Sequence, residues 1–143
     1  MNSKQIGDIT ELTVMLAFVQ AGYNILIPYG DREKYDFVAD INNNFIRIQV
    51  KTSHSINNGE SFEFSCKSST TNNGKKTYVS YTKNDIDFYA TIFNNQCYLI
   101  PVEECGSSAK RLRILPTKNN QCQGICWAKN FEIEKVLNNC FFV

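Results

Sequence analysis

The residues best placed to do chemistry are a carboxylate, a carboxamide and an ammonium flanking one short stretch. Asp36 stands just before Phe37–Val38–Ala39–Asp40, and Gln49 and Lys51 fall at the end of Phe45–Ile46–Arg47–Ile48–Gln49–Val50–Lys51. Between the two runs lies Ile41–Asn42–Asn43–Asn44. Asparagine tolerates the backbone conformations of a tight reversal, so the stretch predicts a β-hairpin. With Ile41–Asn44 as the loop, Asp40 faces Phe45, Val38 faces Arg47 and Asp36 faces Gln49. Side chains alternate along a strand, so Asp36, Val38 and Asp40 share a face with Phe45, Arg47, Gln49 and Lys51. The other face, Phe37, Ala39, Ile46, Ile48 and Val50, is apolar throughout and should be the buried one. A polar cluster of this kind, beside a greasy strand pair, suits holding a divalent cation and activating a water. Asp40 shares the polar face but lies roughly 13 Å along the strand from Asp36, at about 3.3 Å per residue, and is given a structural role.

The elements that position this cluster come from a chain of 143 residues, most simply one domain over residues 1–143 with a core of its own. Hydrophobic residues at 43% and charged residues at 20% are ordinary for a globular protein. A formal charge of +1 does not by itself announce nucleic acid, so only local basic patches could serve it. No basic and apolar leader opens the chain and no 18-residue apolar run occurs, so an intracellular, cytoplasmic protein without a membrane anchor is expected. The six cysteines are even in number, but the same context argues against a disulfide framework. Cys122 and Cys126 have C-x3-C spacing, with His54 the one imidazole and far away in sequence; buried thiols fit better than a zinc site.

The chain begins with a helix that Ser3 can cap, carrying Ile6, Ile9, Leu12, Leu16 and Val19 as one helical stripe and Gly22 at its end. Gly7 and Glu11, four apart, border that stripe, and the missing side chain at Gly7 would let another backbone pack close to Glu11. Asn24–Pro28 is a short edge strand, and Tyr29–Lys34 is a charged loop from which Arg32 and Lys34 could reach phosphate. His54–Glu60 reads as a loop and Ser61–Cys66 as a strand with Phe62 and Phe64 on one face. His54 is read as a solvated loop residue. Lys67–Lys76 has no apolar anchor and is expected to be a mobile basic loop, either a clamp on a nucleic-acid backbone or a solvated connector. Thr77–Tyr81 is strand-like, Thr82–Asp87 a capped turn, and Phe88–Phe93 with Cys97–Val102 a second hairpin. Val102–Cys105 forms a short helix and Arg111–Leu115 a strand; Lys118–Gly124 is loop, and Ala128–Asn138 is a last helix facing Phe131, Val136 and Leu137 inward. The order implies an α/β or α+β domain with a mixed sheet.

The set Gly7-x3-Glu11, Asp36 and Gln49-x-Lys51 resembles the PD-(D/E)XK nuclease superfamily. With Gln before the lysine, and with Asp85–Ala90, Cys97–Pro101 and Trp127–Ala128 downstream, it is similar to the branch of cyanobacterial group I intron homing endonucleases. The resemblance spans nearly the whole chain. It implies a restriction-endonuclease-like core, a mixed central sheet flanked by helices, and metal-dependent cleavage of double-stranded DNA. Asp36 would be the principal ligand of Mg²⁺ or Mn²⁺, with Glu11 a second carboxylate and the Val50 carbonyl a further oxygen. Lys51 would orient the attacking water or stabilise transition-state charge. The chain departs from the superfamily at Gln49, where a carboxylate is usual, and at Tyr35, where a proline precedes the aspartate. The neutral carboxamide removes one negative charge, which favours a single tightly held ion or a water-orienting Gln49. Lys67, Lys75, Lys76, Arg111 and Arg113 join Arg32 and Lys34 as candidate DNA contacts. One module offers one site and a duplex has two strands, so a homodimer or homotetramer is expected. Junction resolvases and restriction-type enzymes fit the same pattern. So does a module that binds DNA without cutting it, and the plainest alternative is a domain in which Asp36 and Lys51 are only a cross-strand ion pair.

Overall fold

The computed structural model describes residues 1–142. Helix α1, Ser3–Gln20, opens on a capping box: the Asn2 side chain accepts from the Gln5 backbone while Gln5 reaches back to Asn2, so Asn2 caps the helix and not Ser3. It closes where Gly22 adopts φ +93°, with Tyr23 and Gly22 donating to the carbonyls of Phe18 and Val19. The face that packs inward is Val14 and Phe18, fully buried, with Gly7 and Glu11 half-buried beside it. The apolar stripe Ile6–Ile9–Leu12–Leu16–Val19 therefore turns outward, each side chain at least 40% exposed.

Beneath α1 lies a five-stranded mixed sheet in the order β1-β2-β3-β8-β9. Its strands are β1 (Asn24–Leu26), β2 (Phe37–Ile41), β3 (Asn44–Val50), β8 (Phe88–Phe93) and β9 (Gln96–Pro101). Neighbours run antiparallel except β3 and β8, which are parallel. The β2–β3 register is the one the alternation requires: Asp40 opposite Phe45, Val38 opposite Arg47, Phe37 opposite Ile48. The loop is tighter than Ile41–Asn44. Asn42 and Asn43 alone make the turn, both with positive φ (52° and 68°), which frees Ile41 to be fully buried. Phe37, Ala39, Ile46 and Ile48 fill one core with α1 and with helix α2 (Ile133–Phe141), so both helices cover the same sheet face.

The remaining chain crosses between the parallel strands β3 and β8. It builds β4 (His54–Ile56), β5 (Ser61–Ser65), β6 (Lys67–Asn72) and β7 (Lys75–Ser80), and β10 (Ala109–Arg113) joins later. A three-stranded sheet, β10-β5-β4, lies over the β8–β9 end of the opposite face, where Phe62, Phe64 and Leu112 meet Tyr89, Tyr98 and Ile100. Phe62 stacks on Phe93 at 4.6 Å. Two stretches expected as loops are strands. His54–Ile56 pairs with β5, and Lys67–Lys76 joins the strand-like run expected from Thr77 in one regular hairpin, Lys67–Ser80, turning at Asn73–Gly74. An Asn-Gly turn closes the ladder, so backbone pairing forms there although every side chain of β7 is exposed. The cysteines carry no disulfide; Cys66 and Cys97 are buried, but Cys122 is exposed and Cys126 half-buried, so the C-x3-C pair is not a pair of core thiols.

Candidate active site

The open end of the β2–β3 hairpin organises the site. The Asp36 amide donates to the Ile48 carbonyl (2.8 Å), extending the ladder one residue past β2. Its carboxylate Oδ2 accepts the Val50 amide at 2.7 Å. This clamp fixes a half-buried carboxylate at the point where the two strands part, opposite Gln49 when the register is continued by one residue. Burial pushes the Asp36 carboxyl above the usual carboxylate range, against the opposing pull of the Val50 amide and the Lys51 charge. Glu11 reaches the same place from α1. Its carboxyl is also pushed up, by burial first, then by repulsion from Asp36 and from Asp8. Two carboxylates from distant parts of the chain are thus near enough for the Asp36 charge to be felt at Glu11, and both are partly desolvated.

Lys51 follows immediately after β3. Its amide donates to the Ala90 carbonyl (2.9 Å), carrying on the parallel pairing with β8. The ammonium donates to the Lys67 carbonyl at 2.8 Å and lies 5.0 Å from the centroid of the Tyr81 ring. Desolvation holds the Lys51 pKa below its ordinary value while the Asp36 charge works the other way. Among the described residues Lys51 makes no ion pair with Asp36, so the two are not a simple cross-strand bridge. Gln49 is half-buried on the face opposite Ile48 and Val50. A Cβ built at Gly7 would meet nothing within 4 Å, so no backbone packs against Glu11 there and the expected close approach is absent.

Several neighbours were not legible in advance. Tyr81 and the Lys67 carbonyl belong to the two ends of the β6–β7 hairpin, and only the folded chain brings them to Lys51. Tyr81 in turn packs edge-on against Tyr89, 5.6 Å away, whose hydroxyl donates to the Cys66 carbonyl at 3.2 Å. On the far side of the hairpin Arg47 is tied down by the Asp87 carboxylate and by the carbonyls of Asn84 and Lys83. Burial alone would raise the Asp87 carboxyl, but the hydrogen bonds and charge of Arg47 outweigh it and hold it low. Asp40 has the structural place expected of it, accepting the Asn43 amide at 3.0 Å inside the turn. His54 is exposed at the start of β4.

The basic residues divide in two groups. Arg32, Lys67, Lys75 and Lys76 are exposed. Lys34 pairs with Asp85 (3.3 Å) and Arg111 with Glu63 (3.2 Å). Arg113 donates to the carbonyls of Leu115 and Pro116 and sits 3.9 Å from Glu60, so its guanidinium is committed to the loop after β10. A surface concavity of about 520 Å³, with Phe45, Lys83, Asp87 and Glu103 among its walls, lies at the turn end of the β2–β3 hairpin and includes none of Glu11, Asp36 and Lys51.

Among the described residues no three His, Cys, Asp or Glu side chains converge. No helix among these residues is long and apolar enough to cross a membrane. A search of curated proteins gives no match. The solved structure of a bacterial homing endonuclease, I-Ssp6803I, superimposes with a TM-score of 0.77 over 97% of this chain and 95% of that one, at 22% identity, which establishes a shared fold. The family model described as PD-(D/E)XK endonuclease matches residues 1–134. With nearly the whole chain matched, the protein belongs to the PD-(D/E)XK endonuclease family.

Proposed function

We propose that this chain is a metal-dependent endonuclease that hydrolyses phosphodiester bonds in double-stranded DNA. The observation that carries the reading is the pair Glu11 and Asp36: burial raises both carboxyls, and the Asp36 charge raises that of Glu11 further. A pocket that gathers like charges at such a cost is one that a cation relieves. The donors are hard oxygens, which suit Mg²⁺ or Mn²⁺ and not a thiophilic metal. Asp36 and Glu11 would hold the ion, with the Val50 carbonyl and the neutral Gln49 carboxamide as the uncharged oxygens. Such an ion supplies an acidified water and neutralises charge on the phosphate. Asp36 contributes a carboxylate whose direction is set by the Val50 amide, so it need not reorganise during reaction. Lys51 contributes an amine whose position is set by the Lys67 carbonyl and the Tyr81 ring, beside the carboxylates and able to stabilise charge developing on the phosphate.

Of the candidate contacts, Arg32, Lys67, Lys75 and Lys76 are exposed and make no ion pair among the described residues, so they are the ones we assign to the DNA backbone. The fold neighbour is described as a homing endonuclease, which favours that role over junction resolution or restriction. The test is incubation of the purified protein with supercoiled plasmid and with a synthetic four-way junction, with and without Mn²⁺. We expect Mn²⁺-dependent plasmid cleavage that Asp36→Ala reduces by about 10³-fold or more, the scale of losing charge stabilisation in a dry site. Undiminished cutting by Asp36→Ala would sink the assignment.

A further inference from the structure

We infer that Tyr81 is a positioning residue for cleavage: the face of its ring and the Lys67 carbonyl together hold the Lys51 ammonium in place without neutralising it. The Lys51 Nζ lies 5.0 Å from the centroid of the Tyr81 ring and 2.8 Å from the Lys67 oxygen. Both partners are uncharged. Burial pushes the Tyr81 phenol above its ordinary range, so at neutral pH the ring attracts the ammonium through its π face and not as a phenolate. Among the described residues Lys51 makes no ion pair with a carboxylate. A carboxylate in the ring's place would cancel the charge that has to meet a phosphate. The ring fixes the amine and leaves that charge free.

The ring is itself held from behind. Tyr81 is half-buried and packs edge-on against Tyr89, 5.6 Å away. Tyr89 is 1% exposed, and its hydroxyl donates to the Cys66 carbonyl at 3.2 Å. Cys66 is the residue before Lys67, and its own amide donates to the Ser108 carbonyl at 2.9 Å. The contacts therefore close a circuit. Lys51 meets the Tyr81 ring, the ring meets Tyr89, Tyr89 bonds the Cys66 carbonyl, and the next carbonyl along the chain returns to Lys51. A long, flexible lysine stem would otherwise sample many rotamers, and restricting them before reaction is what positioning supplies. Both points of hold belong to the root of the β6–β7 hairpin, whereas Lys75 and Lys76 lie at its tip. Tyr81 should therefore govern the cleavage of bound DNA and leave its retention alone.

The effect on cleavage rests on the nuclease reading; the grip on the ammonium does not. The test therefore pairs two measurements on the full chain: Mn²⁺-dependent plasmid cleavage per bound complex, and NMR of protein carrying ¹³C at the lysine ε-carbons. The variants are Tyr81→Leu and Tyr81→Phe, each made alone and together with Lys51→Met. The Lys51 ε-methylene is assigned by its loss in Lys51→Met. We expect the ring current to displace it from the other lysines in the wild type and in Tyr81→Phe, and the displacement to vanish in Tyr81→Leu. Tyr81→Leu should cleave about tenfold more slowly, the scale of a partly desolvated cation–π contact, with DNA retention unchanged. Tyr81→Phe, which keeps the ring, should restore the rate to within about threefold of the wild type. In the Lys51→Met background Tyr81→Leu should cost nothing further, because the partner it acts through is gone. Should leucine loosen the hairpin, seen by circular dichroism, Tyr81→Gln serves in its place. A Tyr81→Leu protein that cleaves at the wild-type rate, an equal loss in the Lys51→Met background, a Tyr81→Phe protein as slow as Tyr81→Leu, or a wild type without the displaced resonance each overturns the inference. A displaced resonance that Tyr81→Leu abolishes, with no cleavage by any of the proteins, leaves the grip standing and removes the nuclease reading alone.

Discussion

Two hairpins meet at Lys51, and they are built on opposite terms. In β2–β3 every second residue is buried, and the turn is closed by two asparagines in the left-handed region. In β6–β7 the ladder is equally regular, but β7 is exposed along its whole length and the tip carries Lys75 and Lys76. The first hairpin is held by the core, so the groups at its open end, Asp36 and Lys51, inherit a fixed geometry. The second is held by its own backbone bonds, and it touches the site only at its root, through the Lys67 carbonyl and Tyr81. A chemical centre needs packing behind it, whereas a surface that meets a charged polymer needs only a shape and a charge. The difference in burial divides these two tasks between the hairpins.

That comparison can be broken or sharpened by experiment. The largest effect is expected where the two hairpins join: Lys51→Met should lower plasmid cleavage by about 10²- to 10⁴-fold with the melting temperature little changed. Loss of folding without a specific loss of rate would instead make Lys51 a structural link between the hairpins. At the exposed tip, Lys75→Glu/Lys76→Glu should weaken DNA retention about tenfold at low salt and reduce the slope of log affinity against log salt by about 2, while cleavage per bound complex stays the same. An unaltered salt slope would return this hairpin to the role of a solvated connector.

Stability should respond in the other hairpin. Asn43→Val forces a β-branched residue into positive φ and should cost about 1–2 kcal/mol in chemical denaturation. The smallest effect concerns charge. The Asp36 carboxyl is raised in the folded protein, so ionising it costs stability above its folded pKa, and that cost is absent below the usual carboxylate value. Without metal, the contribution of Asp36 to stability should therefore fall as pH rises through the carboxylate range, opposite in sign to that of Asp87, which Arg47 holds low. Asp36→Asn should flatten that trend and melt slightly higher at neutral pH. An Asp36→Asn variant that melts lower at every pH would contradict it.

The legible parts of this molecule were those governed by a strict local period. Strand alternation placed Asp40 opposite Phe45 and Val38 opposite Arg47, and it separated the buried Phe37, Ala39, Ile46 and Ile48 from the polar face. The asparagines marked the turn, though not its two-residue length. The helical stripe of α1 was equally plain as a pattern, yet its direction was not, because periodicity says which residues share a face and not what that face meets. Here the sheet took Val14 and Phe18, which are fewer but bulky or fully enclosed, and left the longer row outside. The strands β4 and β6 and the first residues of β7 escaped notice because their side chains are mostly polar, whereas Thr77–Ser80 was legible as strand-like. Backbone pairing alone, anchored by neighbours remote in sequence, makes them strands.

By itself the chain of residues determined the hairpin, its register and its dry and wet faces, since these follow from short-range spacing, while Glu11, Asp36, Gln49 and Lys51 carried the resemblance to the family. Only the tertiary structure decided that Glu11 would lie near enough to Asp36 for their charges to repel, and that Lys51 would rest between a tyrosine ring and a carbonyl from another hairpin. It also decided that the apolar seam of α1 would face water. These outcomes depend on which of several greasy surfaces the sheet buries first. That is a competition among distant segments, and no local pattern encodes it.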